Sequence, residues 1–371
     1  MPAKYCVINN VFLYLDLITA ESSDFTRGRI HDLPREHRQR SSYAKYHHTR
    51  KDFKKEPMTG LRVMIVTQMR SGSTITGELF NINDDFAYFF EPLFPVRRQI
   101  KFVNTSSVIY KNVKVPLAKL LRCNFRNLPH QWWNATSIGS MKTRCEKRRF
   151  LHDSPLCKHP KPTGAFLPPS FGVMLEEMCR RKKHLALKTI RVEDLNFLKD
   201  VVEDATELNI KIIHLVRDPR AVYYSRLKIP RNTYTPDVSI TCPRLERNVR
   251  TGLSRPQWLR DKYLLVRFED LANAPVAVAE KIYNFLNITM PDPVYKWIQH
   301  NTQGSTEDDV YSVSKNSRTT AVKWRQALSL KQVLYVQSYC ETAMGLLGYR
   351  TVATEESLRN MTSNVTELWP S

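Results

Sequence analysis

The sequence predicts an α/β fold, a mostly parallel central sheet flanked by helices. Three observations carry it. Short β-type runs stand at Arg62–Val66, His184–Lys188, Ile210–Val216 and Tyr263–Phe268, several of them continuously apolar, as strands covered on both faces are. Helical patterns lie between and after these runs, and strands alternating with helices give layered α/β architectures. Two of the runs, Arg62–Val66 and Ile210–Val216, end in turns rich in Arg, Ser, Gly or Pro that pass straight into a helical stretch.

Taken in order, residues 1–59 form an N-terminal segment. Tyr5–Ala20 is largely apolar, but it is shorter than the ~20 residues of a spanning helix and is broken by Asn9, Asn10 and Asp16. It reads as a weak signal-anchor or as an amphipathic start, and membrane attachment is left open. Residues 21–59 are polar and crowded with Arg, Lys and His, a basic stem rather than a folded element. The main domain spans 60–350. Within it, 122–170 is richer in Pro, Cys, Trp and basic residues and reads as an insertion shaping a substrate surface. One helix is marked by Val278, Ile282, Phe285 and Leu286. Another opens on the capping box Ser329-Leu-Lys-Gln332. Residues 351–371 read as a loose polar tail.

Composition narrows the partners. The 371 residues are 42% hydrophobic with 16 Phe, 16 Tyr and 6 Trp, which excludes a multi-span membrane protein and a wholly disordered chain. The net charge of +21 draws polyanions: nucleic acid, anionic lipid, phosphorylated ligands or acidic polysaccharide. Seven cysteines form no CxxC pair, so zinc and thioredoxin-type sites are weakly supported. Asn104, Asn134, Asn287, Asn360 and Asn364 each open an N-glycosylation acceptor pattern. With the dispersed cysteines they favour an oxidising, secretory compartment containing some disulfides.

The first chemistry-bearing turn is Thr67-Gln-Met-Arg-Ser-Gly-Ser-Thr74. A strand, a turn tightened at Gly72 and a helix aim backbone N–H groups at one point, which suits an anion. Ser71, Ser73 and Thr74 add hydroxyls and Arg70 a cation. The Lys of a Walker A loop is absent. The second turn, Arg217-Asp-Pro-Arg220, follows the strand Ile210–Val216 where open α/β sheets bind ligands, and Ser225 lies about two helical turns further on. Two anion sites at neighbouring strand ends imply a ligand with two separated phosphate groups; the bland alternative is that Asp218 and Arg220 form only a surface ion pair.

TQMRSGST resembles the 5′-phosphosulfate loop of sulfotransferases, and LVRDPRAVYYSR resembles their 3′-phosphate loop. Phe90-Glu-Pro-Leu93, Val266-Arg-Phe-Glu-Asp-Leu271, Trp297–Gln303, Tyr311–Ser317, Lys323-Trp-Arg325 and Gly348-Tyr349 extend the likeness over about residues 61–350. The chain is similar to the Golgi carbohydrate 6-O-sulfotransferases acting on GalNAc, Gal or GlcNAc, and looks most like the chondroitin 6-sulfotransferase branch.

That resemblance implies a P-loop-like sulfotransferase fold, 3′-phosphoadenylyl sulfate (PAPS) as donor, no metal, and a glycosaminoglycan or glycoprotein glycan as acceptor. It implies a Golgi-lumenal location, type II where an anchor is present. Arg70, Ser71, Gly72, Ser73, Thr74, Arg217 and Ser225 are the expected donor-binding residues, with Arg70 also facing the departing phosphate. Glu91, flanked by aromatics that desolvate it, is the expected base, with His214 as rival. Lys188 and Arg191 are expected to reach the leaving phosphate or the acceptor, and Lys315–Arg325 to close over the nucleotide. Arg144, Lys147, Arg148 and Arg149 are candidates for lining a cationic acceptor groove. Two other readings stay open: a nucleotide kinase or NTPase, and a non-catalytic glycosaminoglycan-binding protein. No helix-turn-helix or RNA-binding signature supports nucleic acid as a partner.

Overall fold

The computed structural model describes residues 59–93, 106–126, 128, 149–151, 157, 170–229, 236–302 and 317–367. Outside these fall the anchor candidate at 5–20, the basic stem, most of the 122–170 insertion with Arg144, Lys147 and Arg148, the loop containing Lys315, and Asn104 and Asn134. The described residues all belong to one unit, Pro57–Ser371.

Strand β1 (Leu61–Thr67) is buried along its whole length, as its unbroken apolar run requires. It passes through a turn into α1 (Ser73–Asn81) and then β2 (Phe86–Phe90). Next come α2 (Ser106–Leu121), α3 (Ser170–Arg180), β3 (His184–Thr189), β4 (Asn209–Val216), α4 (Pro219–Leu227) and α5 (Val238–Leu253). The remainder is β5 (Tyr263–Arg267), α6 (Phe268–Asn273), α7 (Pro275–Phe285), α8 (Asp292–Thr302), α9 (Ser317–Val322), α10 (Leu330–Leu346) and α11 (Glu355–Arg359). Pro275 starts α7, and the Ser329–Gln332 capping box starts α10.

The five strands lie in the order β2-β3-β1-β4-β5, with every pair parallel. Connections leave β1 toward β2 and β3 on one side, while β4 and β5 lie on the other. The β1/β4 boundary is therefore the topological switch point, where ligands of such sheets bind beyond the strands' C-terminal ends. Side chains alternate between the two faces with the period of two that strands impose. Met64, Val66, Phe89, Leu187 and Ile212 pack toward α2 and α3. Val63, Ile65, Tyr88, Ala186 and Ile213 pack toward α1, α7 and α8.

Strand β2 is absent from the runs read in the sequence. It is a short edge strand, and its aromatic stretch leads directly into Glu91-Pro92. The described part of the segment after Tyr349, residues 350–367, is not loose. Leu358 and Val365 are buried, Tyr349 bridges to Thr366, and the Arg325 guanidinium donates to the carbonyls of Ser357, Leu358, Asn360 and Ser363. Hydrogen bonds to backbone dock a segment whose composition is too polar to signal burial. Disulfides join Cys123 to Cys179, fastening α2 to α3, and Cys242 to Cys340, fastening α5 to α10.

Candidate active site at the strand ends

The β1–α1 turn leads into a helix N-terminus without a side-chain cap. Gly72 is left-handed (φ 85°) at the N-cap of α1. A Cβ at Gly72 would lie 2.1 Å from Phe268 Cδ2, so position 72 must be glycine on two grounds, its φ and the approach of the ring. By helix geometry the first amides of α1 lack intrahelical acceptors and point out of its N-terminus, the positive end of its dipole. Ser71 and Ser73 are buried beside them, and Thr74 follows on the first turn.

Arg70 also has a positive φ (74°). Its Nε donates to Ser225 Oγ at 2.9 Å, and its carbonyl accepts from Arg217 Nη1 at 3.0 Å. The carbonyl of Met69 accepts from Arg226 Nε and Nη2 at 3.2 and 3.0 Å. The two sequence-predicted turns thus close on each other. Arg226, unassigned in the sequence, sets the backbone just before Arg70.

Arg217 emerges from β4 with 7% exposure. Its Nη2 donates to the Thr320 carbonyl at 2.8 Å, and the guanidinium lies 4.5 Å from the centre of the Phe268 ring. Its Nε is buried with no hydrogen-bond partner among the described residues. Burial pulls the guanidinium below the ordinary arginine range, opposed by Glu269 and Asp218. Behind it, Asp218 caps α4 by accepting from Arg220 N and forms a buried, two-pronged pair with the Arg220 guanidinium. That pair is framework, and it is interior rather than on the surface. Arg220 also donates to the Arg350 carbonyl and Gln337, and stacks 4.3 Å over Trp324.

The ends of β2 and β3 bring together two more predicted residues. Lys188 pairs with Phe90 in the β2–β3 register, which places Glu91 beside it. Lys188 Nζ donates to Glu91 Oε1 at 2.8 Å, with both side chains under one-tenth exposed. Glu91 has φ 48°, an uncommon backbone for a non-glycine residue, and its amide donates to the Lys188 carbonyl at 2.9 Å. Arg191 Nε stands 3.8 Å from Glu91 Oε2, and Lys188 Nζ lies 4.1 Å from the Phe90 ring centre. The carboxylate expected among aromatics is held by an ammonium as well. Strained backbone at Arg70 and Glu91, worth of order 1–3 kcal/mol each, falls on two of the predicted residues.

Two expectations are not met. His214 sits within β4, bonded through Nδ1 to the Tyr263 hydroxyl at 2.8 Å, and burial lowers its pKa to about 4. It is a core residue. Arg325 is spent on tail carbonyls and does not close over a nucleotide, although Thr320 on the neighbouring α9 does contact Arg217. Phe268 and Glu269 carry no local signal beyond the Val266–Leu271 stretch, and only the fold brings them against the two turns.

A sulfotransferase-domain family profile matches residues 61–348. Carbohydrate sulfotransferase 1 of Homo sapiens is 34% identical over 343 residues, covering 82% of this chain and 83% of the relative. Carbohydrate sulfotransferase 3 of Tetronarce californica is 34% identical over 346 residues, covering 82% and 76% respectively. Among solved structures, a sulfotransferase domain from the curacin biosynthetic pathway aligns with a TM-score of 0.42 at 16% identity, covering 80% of this chain and all of that one. The matched region runs from the first residue of β1 through both strand-end turns, and by these identities the chain belongs to the carbohydrate sulfotransferase family.

Proposed function

We propose that this carbohydrate sulfotransferase takes PAPS as donor and sulfates the 6-hydroxyl of a sugar, GalNAc or Gal, in chondroitin- or keratan-type glycans. The supporting observation is the meeting of the two turns: Arg70 reaches Ser225, and Arg217 reaches Arg70. A single cleft at the β1/β4 switch point then offers one anion site built on helix amides and another on a buried guanidinium. The residues present fit such a donor. Gly72 leaves backbone accessible at an uncapped helix N-terminus, and Arg217 Nε is buried without a hydrogen-bond partner among the described residues. Bound there, PAPS supplies an activated sulfuryl group on a phosphate leaving group.

The chain's own residues divide the work. Amides of residues 71–74, with Arg70, stabilise charge gathering on the departing phosphate; preorganised donors of this kind contribute roughly 3–4 kcal/mol each. Arg217 and Ser225 hold the 3′-phosphate, and a phosphate beside Arg217 offsets its burial. Glu91 Oε accepts the proton of the attacking sugar hydroxyl. Lys188, 2.8 Å away, orients that carboxylate and lends positive charge to the transfer zone. A sulfuryl group carries one negative charge, so basic side chains suffice without a divalent metal.

The net charge of +21 serves a polyanionic acceptor. Residues 60–350 form the catalytic unit in this reading. The enzyme acts in the Golgi lumen, in keeping with its disulfides and the exposed acceptor asparagines Asn287, Asn360 and Asn364. No helix among the described residues is long and apolar enough to cross a membrane.

The deciding experiment incubates purified protein with sulfate-labelled PAPS, with and without EDTA, against chondroitin, keratan and heparan acceptors. Label at a 6-hydroxyl of chondroitin or keratan, unchanged by EDTA, is the expected result. Label confined to heparan, or binding of glycan without transfer, overturns the reading.

A further inference from the structure

Two residues of the stretch Val266–Leu271 pack against the turns: Phe268 touches both, and Glu269 holds the second. Phe268, 4% exposed, follows β5 directly. One part of its ring abuts Gly72, since a Cβ there would meet Cδ2 at 2.1 Å and Cε2 at 2.5 Å. The same ring lies 4.5 Å from the Arg217 guanidinium. Glu269 Oε1 accepts from the amide of Asp218 at 3.0 Å, and its Oε2 accepts from the Tyr349 hydroxyl at 2.7 Å. Burial and the neighbouring Asp218 raise the Glu269 carboxyl to about 7, opposed by Arg217. A third strand end therefore inserts a rigid ring between the β1 and β4 turns and ties the backbone of the second one down.

We propose that Phe268 and Glu269 are positioning residues that fix the spacing between the two donor-binding turns, Phe268 as the spacer and Glu269 as the lock. This rests on the donor reading above. A ring packed at interior density resists compression, so the gap it sets is a fixed length. A nucleotide with phosphates at both ends is sensitive to that length, because it must engage both turns at once. A nucleotide with one phosphate tests a single turn. Misplacement of about 1 Å in such a site can cost on the order of a hundredfold.

Calorimetric titration of the full chain with adenosine 3′,5′-bisphosphate, 5′-AMP and 3′-AMP tests this. Phe268→Leu is expected to weaken the bisphosphate about tenfold or more, with each monophosphate changing less than about threefold. Phe268→Met, unbranched and able to reach further into the space the ring fills, carries the same comparison should the leucine variant not fold. Glu269→Leu removes both acceptors and is expected to weaken the bisphosphate more than either monophosphate. In Glu269→Gln the single amide oxygen still accepts from the Asp218 amide and the NH2 donates to Tyr349 Oη, so the loss is expected to be smaller. Equal losses for all three ligands in the Phe268 variants, or undiminished bisphosphate affinity, overturn the proposal. Failure of the wild-type chain to bind the bisphosphate is a different result, one that removes the donor reading itself.

Discussion

Arg70 Nε donates to Ser225 Oγ across 2.9 Å, joining residues 155 apart in the chain. The bond spans the switch point of the sheet, from the turn after β1 to the helix after β4. In the proposed reading each partner belongs to a different phosphate turn, and a bis-phosphorylated donor is expected to exchange this bond for its own contacts. The two turns are held against each other by carbonyl contacts from Arg217 and Arg226, and Arg217 also holds the Thr320 carbonyl.

Arg217→Ala removes a buried cation and two bonds to carbonyls. Donor affinity is expected to fall roughly 10–100-fold, the range for a lost charged hydrogen bond, with a smaller change in kcat. Titration with adenosine 3′,5′-bisphosphate and a donor-KM measurement check this.

Glu91→Gln keeps the size of the side chain and removes its basicity. Turnover is expected to fall about 10²–10⁴-fold while donor affinity stays within a few-fold. Single-turnover kinetics separate the two, and normal turnover would remove Glu91 as the base. Lys188→Met is expected to lower turnover too, since it leaves the buried Glu91 carboxylate without its closest cation.

Gly72→Ala puts a methyl group into the Phe268 ring and forces alanine into a left-handed φ. The backbone strain alone is of order 1–3 kcal/mol. A lower melting temperature and loss of donor binding together are the expected outcome, by calorimetry and nucleotide titration.

Stability should fall with acid between pH 6.5 and about 4. Burial lowers His214 and His184 to about 4, so across that window the unfolded chain takes up protons that the folded chain refuses. Glu269 acts in the opposite direction between about 4.5 and 7, because its raised carboxyl holds a proton in the folded chain alone. Two imidazoles against one carboxyl leave a net loss on acidification. In melting curves His214→Gln should flatten this slope, and its turnover near pH 7 should stay within a few-fold of wild type. A large loss of turnover would return His214 to the site.

Much of this arrangement was written in local sequence. Strands β1, β3, β4 and β5 are apolar runs, and both turns announce themselves through Gly72, Pro219 and clustered arginines and serines. What local pattern cannot supply is adjacency. Glu91 and Lys188 stand 97 residues apart and meet because β2 pairs in parallel with β3, an edge pairing with no signature of its own. Phe268 reads as an ordinary core aromatic until the fold sets it against Gly72 and Arg217. The tail from 350 to 367 reads as loose because it is polar, yet buried guanidinium groups hold its carbonyls.

The most direct measurement is a crystal structure of the chain with adenosine 3′,5′-bisphosphate. The 5′-phosphate is expected on the amides of residues 71–74 and the 3′-phosphate on Arg217 and Ser225, with the Arg70–Ser225 bond broken. A nucleotide bound through one phosphate only, or at another face of the sheet, would contradict the shared cleft.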